Sequence, residues 1–321
     1  MSVEYCGFIY DYKESEGYSV LPNKVVKQPK TFFKYCALNE YSVDALTNMY
    51  VYATHPNQYN DLFDCNELLI EFDSWDGVKG LWEDLYDELI KEHPTLDSAC
   101  EESRKAYWYL LYKKLGLVSL ASNHDNYQMW SLYAHNRGFC VEFDVDKFPF
   151  LHFGLFPINY TRNIPGPVQI SKVGGQIAML IQTNVKNNWW KYEDEWRLYV
   201  PNPPGFDLKY FGSEYDMSKL NRGDEHDRKF KYPLDALVSV TLGPKFFERM
   251  ELNYISPNER EITCPNDNDS FELKVLDFLA RVSQNHPLQI KVAELSGFNK
   301  YEFMEIEIYN FSSNKFRISR I

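Results

Sequence analysis

The stretch LVSLASNHDNYQMWSLYAHNRGFCVEFD, residues 117–144, decides the fold. Its first six residues are apolar or small and predict a strand ending at Ser122. A helix follows, for which Ser122 or Asn123 can serve as the N-cap. Gly138 ends the helix, and residues 139–145 then alternate apolar and polar side chains as a half-buried strand does. The stretch therefore predicts a strand, a helix and a second strand in close succession.

Helices and strands are interspersed on both sides of this stretch. Residues 71–102 hold eleven acidic and two basic residues, with apolar side chains at helical spacing, which predicts helices with an acidic, solvated face. Since there is no regular βαβ alternation, we expect an α+β fold with a mixed or antiparallel sheet. Further strands are predicted at 32–38, 49–54, 196–200, 236–242, 288–292 and 303–309, and further helices at 42–49, 171–189 and about 270–284.

The pattern indicates one domain with a helical insertion at 66–115. Residues 1–29 have little periodicity and are expected to form a loosely held lead-in. The core domain then spans 30–254, and residues 255–321 supply a helix, capped by Asp267 or Asp269, and a strand pair that complete the fold. Residues 201–232 are polar and predict a loop.

Charge and composition exclude several classes of protein. The 321 residues carry a net charge of −12, which disfavours binding of bare nucleic acid and of anionic membrane surfaces. No apolar run reaches the length of a membrane span, and the N-terminus is acidic where a signal peptide is basic, so we expect a cytoplasmic protein. Six cysteines lie at least 29 residues apart, without the close pair of a zinc site, and we predict no metal.

Three segments, at 32–65, 117–144 and 188–200, carry a set of ordered motifs. Together they resemble the bacterial domain of unknown function 2971 family over about residues 30–245, and Leu62 stands where that family usually has proline. The family name implies no established function. The motifs are Lys34-Tyr35, Asn60-Asp61-Leu62-Phe63-Asp64, Trp130-Ser131-Leu132-Tyr133-Ala134, Gly138-Phe139-Cys140 and Tyr192-Glu193-Asp194-Glu195-Trp196-Arg197.

The order of several polar residues is also similar to that of ADP-ribosyltransferases, which split NAD at the nicotinamide bond. Those enzymes place a basic residue on a first strand, a serine on a second and E-x-E on a later one. Here Lys34, Ser119 with Ser122, and Glu193 with Glu195 follow in that order, although lysine replaces the usual arginine or histidine and S-L-A-S replaces S-T-S. The resemblance implies an ADP-ribosyltransferase-like fold and an NAD-utilising enzyme, with NAD as its substrate.

The chemistry of glycosidic cleavage gives the charged candidates distinct roles. Glu195 would stabilise the oxocarbenium-like ribose of the transition state. Glu193, two residues earlier on a predicted strand, would share its face and orient or deprotonate the acceptor. Lys34 would neutralise a pyrophosphate oxygen as a point charge. Ser119 or Ser122 would hold the nicotinamide ribose or amide.

The remaining candidates are aromatic rings and polar edges of the same site. Tyr35, Tyr192 or Trp130 would stack on the nicotinamide ring. Asn60 with Asp61 forms either an Asx-type turn or a second polar edge. Tyr133 and Arg197 complete the predicted ligand-binding set, although Trp130 and Tyr133 also suit a core.

Three other interpretations stay open at this point. Glu193, Glu195 and Arg197 also suit a solvated salt-bridge ladder on a strand. Independently of that, the chain could be a non-catalytic module with the same fold that binds a nucleotide-like small molecule or a partner protein. A metal-dependent nuclease using Asp61, Asp64 and the glutamates is the third reading. If the protein is an NAD-consuming enzyme, a macromolecular acceptor and a role as a bacterial toxin or antiviral defence effector would fit that activity.

Overall fold

The computed structural model describes residues 2–13, 17–24, 26–59, 61–82, 85–149, 154–201, 228–264, 270–297, 300–312 and 314–321. These residues form an α+β fold, as predicted, in which helices pack on a large mixed sheet. The helices are α1 (Glu40–Thr47), α2 (Trp75–Trp82), α3 (Tyr86–Glu92), α4 (Leu96–Lys114), α5 (Tyr127–Leu132), α6 (Ile170–Val173), α7 (Gly175–Asn184) and α8 (Phe271–Ser283).

The strands are numbered in chain order. They are β1 (Ser2–Tyr5), β2 (Phe8–Lys13), β3 (Gly17–Pro22), β4 (Phe32–Cys36), β5 (Tyr50–Tyr52), β6 (Ile70–Glu71), β7 (Leu115–Ala121), β8 (Phe139–Phe143), β9 (Leu155–Pro157), β10 (Asn159–Thr161), β11 (Val168–Gln169), β12 (Val185–Asn187), β13 (Glu195–Pro201), β14 (Lys229–Lys231), β15 (Leu237–Leu242), β16 (Glu251–Ser256), β17 (Glu259–Thr263), β18 (Gln289–Gly297), β19 (Lys300–Ser312) and β20 (Lys315–Arg320).

Eleven of these strands form the central sheet in the order β16-β17-β20-β19-β18-β15-β8-β4-β7-β13-β9. Neighbours run antiparallel except β15 and β18, which are parallel. The predicted hairpin of β18 and β19 is present, and β16, β17 and β20 extend the same side of the sheet. The strands decisive for the sequence prediction, β4, β7, β8 and β13, lie together in its other half.

Apolar layers cover both faces of this half. On one face, Phe32, Val118 and Trp196 pack with side chains of α1 and α8. On the other face, Leu117 and Tyr199 pack with the helical insertion and α7. Strand β7 is therefore buried on both sides and reads as a nearly continuous apolar run. Within it, Ser119 is the one residue that keeps partial exposure.

Helices α2, α3 and α4 lie within residues 66–115, where helices were predicted, but two other expectations need correction. The N-terminal residues are an ordered meander of β1, β2 and β3 and not a loosely held lead-in. The fully buried Tyr10 joins it to α7, because its hydroxyl donates to Asn184 Oδ1 at 2.9 Å. The helix predicted at 171–189 is interrupted at Gly174, whose φ of +75° breaks the helical path, and it ends at Asn184.

Helix caps also differ from those expected. Asn126 caps α5, since its side chain accepts from the backbone N–H groups of Gln128 and Met129. Ser270 caps α8 in the same manner. Asp267 and Asp269 lie outside the described residues, as does most of the predicted loop at 201–232. In the part of the chain described, no helix is both long and apolar enough to cross a bilayer.

Gly138 occupies a position that has no room for a side chain. A Cβ atom there would lie 1.9 Å from the backbone oxygen of Cys36 and 2.9 Å from that of Ala134. We therefore expect Gly138→Ala to lower the free energy of unfolding by about 1–3 kcal/mol or more, measured by urea denaturation. Gly80 in α2 has no heavy atom within 4 Å of its Cβ position and is the matched control. Gly80→Ala should raise stability by up to about 1 kcal/mol, and equal losses in both variants would contradict this account.

Candidate functional site

The central sheet opens between β4 and β7. These strands pair only at Phe33 and Ala121, although each pairs at length with its other neighbour. Beyond that pair, β7 takes a different partner: Thr54 exchanges two backbone hydrogen bonds of 2.8 Å with Leu117. The carbonyl of Ser119 lies in the gap and accepts from Lys34 Nζ at 3.3 Å. This change of partner leaves an opening within an otherwise paired sheet.

A cavity of about 250 Å³ lies at this opening, and we call it the fork cavity. Three neighbouring strands contribute to its wall, with Lys34 from β4, Ser119 from β7 and Glu195 from β13. The Tyr59 hydroxyl lies 3.1 Å from Ser119 Oγ. The polar residues lining it are Lys34, Tyr35, Thr54, Gln58, Tyr59, Ser119, Tyr133, Lys186, Glu193 and Glu195.

Five charged residues form a buried network at the floor of the fork cavity, and each residue is at most 5% exposed. Lys186 Nζ lies 2.6 Å from Glu193 Oε2, 3.1 Å from Glu195 Oε2 and 3.3 Å from Asp64 Oδ2. Arg197 Nη2 lies 2.9 Å from Glu195 Oε1 and 3.0 Å from Asp64 Oδ2. This ion cluster contains three carboxyl groups and only two cations, so its carboxyl groups differ in how well they are compensated.

That difference appears in the pKa values. Burial opposes ionisation of Glu195 and Asp64, but attraction to Arg197 and Lys186 outweighs it and holds the pKa of both carboxyl groups below the ordinary range. A hydrogen bond from Ser119 lowers the pKa of Glu195 further. For Glu193, burial and repulsion from Glu195 outweigh attraction to Lys186 and raise the pKa. The cluster thus holds two ionised carboxylates beside a third that protonates more readily.

The lowered pKa values imply acid sensitivity. Asp64 and Glu195 protonate in the unfolded chain near their ordinary values of 3.8 and 4.5, but stay ionised in the folded chain to lower pH. Their contribution to stability is therefore complete above these values and is lost as the pH falls below them. Each pKa unit of lowering corresponds to about 1.4 kcal/mol. Urea denaturation on both sides of pH 3.8 should show this loss, and stability that is constant or rising toward acid would contradict it.

Residues 129–198 match the family model described as Protein of unknown function (DUF2971). This segment belongs to the DUF2971 family. It carries three of the five motifs on which the resemblance was predicted, those beginning at Trp130, Gly138 and Tyr192. Lys34 and Ser119 precede the matched DUF2971 segment. Neither the curated proteins nor the solved structures contain a match to the chain, so the likeness to ADP-ribosyltransferases stays a prediction.

Within the DUF2971 segment, the two glutamates reach the cavity in a way that differs from the expected one. Glu193 ends a 3-10 turn, Asp194 adopts a left-handed conformation with φ of 44°, and β13 begins at Glu195. The expectation that both lie on one strand, two residues apart on one face, is therefore wrong. They meet because the turn at Asp194 redirects the chain and Lys186 binds both carboxylates.

Arg197 does not form part of a solvated ladder, because it is fully buried. Its guanidinium lies over the ring of Tyr59, 4.7 Å from the centroid, and also donates to the carbonyl of Thr183 at 2.5 Å. It donates hydrogen bonds to Glu195 and is not among the described cavity residues. Arg197 thus contacts Glu195 but lies outside the described lining of the cavity, and the ligand-binding role expected of it stays a prediction.

The other predicted residues divide between the cavity and its surroundings. Tyr35 and Tyr133 line the fork cavity, and the Tyr133 hydroxyl donates to Glu193. Trp130 is 0% exposed and packs edge-on against Tyr35, so its ring is core and has no face for a ligand. Ser122 and Tyr192 are not among the described cavity residues; the Ser122 backbone N–H donates to the carbonyl of Asp194.

The Asn60–Asp61 candidates are only partly described. Asp61 Oδ1 accepts a hydrogen bond from the backbone N–H of Phe63 at 3.0 Å. This is the hydrogen bond of an Asx-type turn, one of the two structures predicted for this pair. Asn60 lies outside the described residues. Asp64, three residues later, is the group of this motif that enters the ion cluster.

Sequence reasoning missed Lys186 and Tyr59. Lys186 was placed within a predicted helix. It could have been noticed because it is a single lysine that follows apolar Val185 and precedes two tryptophans at 189 and 190. Its ammonium occupies the point between three carboxylates that the nuclease hypothesis would give to a metal. Among the residues described, no group of three or more His, Cys, Asp and Glu side chains is arranged to hold a metal ion.

Proposed function

We propose that the fork cavity binds the nicotinamide ribose part of NAD and that the protein cleaves its nicotinamide–ribose bond, as an ADP-ribosyltransferase or NAD glycohydrolase. The observation that carries this proposal is the meeting of Lys34, Ser119 and Glu195 in one cavity, from three neighbouring strands. This is the set of residue types, in chain order, that the resemblance implies for NAD cleavage.

Glu195 has the properties that glycosidic cleavage needs. Its lowered pKa keeps it ionised, and burial reduces the screening of its charge by water. Arg197 and Lys186 hold the carboxylate in place, so it is already oriented when positive charge develops on the ribose. The same two cations also weaken the negative electrostatic potential of the Glu195 carboxylate at the ribose.

The reaction balances without a redox partner. The C1′–N1 bond breaks, its electron pair leaves with neutral nicotinamide, and an acceptor oxygen bonds to C1′. The acceptor proton passes to a base or to water. Glu193 suits that step because its raised pKa brings it nearer to neutral pH, and Tyr133 orients it. With water as acceptor, the products are nicotinamide, ADP-ribose and a proton.

The size of the cavity restricts what enters it. Ligand cavities typically measure about 300–1,000 Å³, and the fork cavity is smaller, at about 250 Å³. It therefore suits one half of a dinucleotide. The rings of Tyr35, Tyr59 and Tyr133 line it and offer aromatic surface to the nicotinamide.

A non-catalytic nucleotide-binding module is the second candidate. The ion cluster favours this candidate, because each of its carboxylates already forms an ion pair with Lys186 or Arg197. Such a module would bind NAD without releasing nicotinamide. The two candidates share a cavity and differ in turnover.

The deciding experiment incubates the purified full chain with NAD and measures free nicotinamide by liquid chromatography. Release that depends on Glu195 supports the enzyme. Binding of NAD by calorimetry without nicotinamide release favours the module, and neither binding nor release rejects both. If NAD is consumed, expression of wild type against Glu195→Gln in a bacterial host tests the proposed toxin or defence role.

A further inference from the structure

A larger cavity, of about 800 Å³, adjoins the fork cavity. Helix α1 forms one side of it, and we call it the α1 cavity. The two cavities share Lys34 and Gln58 in their walls, so they adjoin at these two residues. Glu195 lines the fork cavity, α1 lines the larger one, and Lys34 lies in the wall of both.

We infer that the α1 cavity binds the adenosine half of the dinucleotide, with the pyrophosphate at Lys34. This inference rests on the proposed function, since it names the part of NAD that the fork cavity has no room for. The volumes of the two cavities support this assignment. The volume of the α1 cavity, about 800 Å³, lies within the usual range of ligand cavities, about 300–1,000 Å³, and is about three times that of the fork cavity.

The walls of the α1 cavity offer groups suited to a nucleoside. Tyr41 is 75% exposed at the start of α1, and Tyr52 adds a second half-buried ring. Exposed aromatic faces stack on bases, with about 1–3 kcal/mol per base. Ser42 and Glu40, also in the wall, supply hydroxyl and carboxylate oxygens for ribose hydroxyls.

The charges of the cavity favour a phosphate at its junction with the fork cavity. Lys229, also in the cavity wall, is held by Asp44 at 3.0 Å, and its ammonium lies 4.8 Å from the Tyr50 ring centroid. Lys34 instead contacts a backbone carbonyl, that of Ser119, at 3.3 Å. Its positive charge stands where both cavities meet and would neutralise a pyrophosphate oxygen.

The test uses AMP as the probe for the α1 cavity. Ala45, half-buried on α1 in the cavity wall, is replaced by tryptophan to fill it, and Tyr41→Ala removes the exposed ring. Tyr254→Ala on β16, where the tyrosine is 67% exposed, is the matched control. Thermal unfolding verifies the fold, and Tyr41→Ala keeps the test decisive if Ala45→Trp is unstable.

By calorimetry, AMP should bind the wild type and Tyr254→Ala alike, and more weakly by about tenfold for Ala45→Trp, a change of about 1.4 kcal/mol. Tyr41→Ala should lose a similar factor. Absence of AMP binding to the wild type, or unchanged affinity in both cavity variants, would overturn the inference.

Failure of the inference and failure of the proposed function give different results. If NAD is cleaved but the cavity variants keep their AMP affinity and their KM for NAD, only the inference fails. If AMP binding responds as expected and nicotinamide is never released, the adenosine site stands and the catalytic proposal fails. For an active enzyme, the variants should raise the KM for NAD and leave cleavage of nicotinamide mononucleotide unchanged, since that ligand lacks the adenosine half.

Discussion

Glu195→Gln is expected to lower the rate of nicotinamide release from NAD by about 10²–10⁴. Glutamine keeps the shape of the side chain but removes the charge that would face the developing cation on the ribose. KM should change much less than kcat, because the charge on the ribose develops chiefly in the transition state. Nicotinamide release under saturating and limiting NAD measures both.

Two variants make this result interpretable. Glu251→Gln, on the exposed strand β16, is the matched control and should keep full activity. Ser119→Ala removes a hydrogen bond to Glu195 without changing a buried charge, so it tests the same site if Glu195→Gln folds poorly. A Glu195→Gln protein that folds and retains activity within a factor of about two would reject the catalytic role.

Arg197→Met should lower the free energy of unfolding by about 3–5 kcal/mol. The fully buried guanidinium compensates Asp64 and Glu195, and methionine would leave both carboxylates short of a partner. Urea denaturation at neutral pH measures the loss.

The control for this variant is an exposed arginine in an ion pair of similar length. Arg320 lies 3.0 Å from Glu294, but the two side chains are 36% and 44% exposed. Arg320→Met should cost about 0–1 kcal/mol. Adding Asp64→Asn to Arg197→Met should restore part of the loss, because one uncompensated charge is removed. A loss below about 1 kcal/mol for Arg197→Met would show that the ion cluster contributes little to stability.

Much of the fold was predictable because its signals are local. Strands β4, β7, β8 and β13 each bury runs of apolar side chains, and the helix caps lie within a few residues of the positions predicted for them. The meander of β1, β2 and β3 was missed because its stability depends on contacts with distant parts of the chain. The Tyr10 hydroxyl, for example, donates to Asn184 at the end of α7, and no local pattern shows that contact.

Six of the twelve residues predicted for the candidate site are among those described as lining the fork cavity. Lys34, Ser119 and Glu195 were expected to converge and do line one cavity. The left-handed turn at Asp194 was not foreseen, because only a small fraction of aspartates adopt this conformation and no local pattern marks this one. The pairing of Arg197 with Asp64 joins residues far apart in the chain, and no local pattern encodes such a partner.

The contact between Tyr10 and Asn184 connects the first strands of the chain to the ion cluster. Asn184 ends α7, and Lys186 follows two residues later in β12, which pairs with β10. Asn159 in β10 donates to the Tyr10 hydroxyl at 3.0 Å and to the carbonyl of Tyr5 at 3.2 Å. The N-terminal meander thus supports the backbone segment that carries Lys186. A shortened chain lacking it would lose support for the very ammonium that joins the two glutamates.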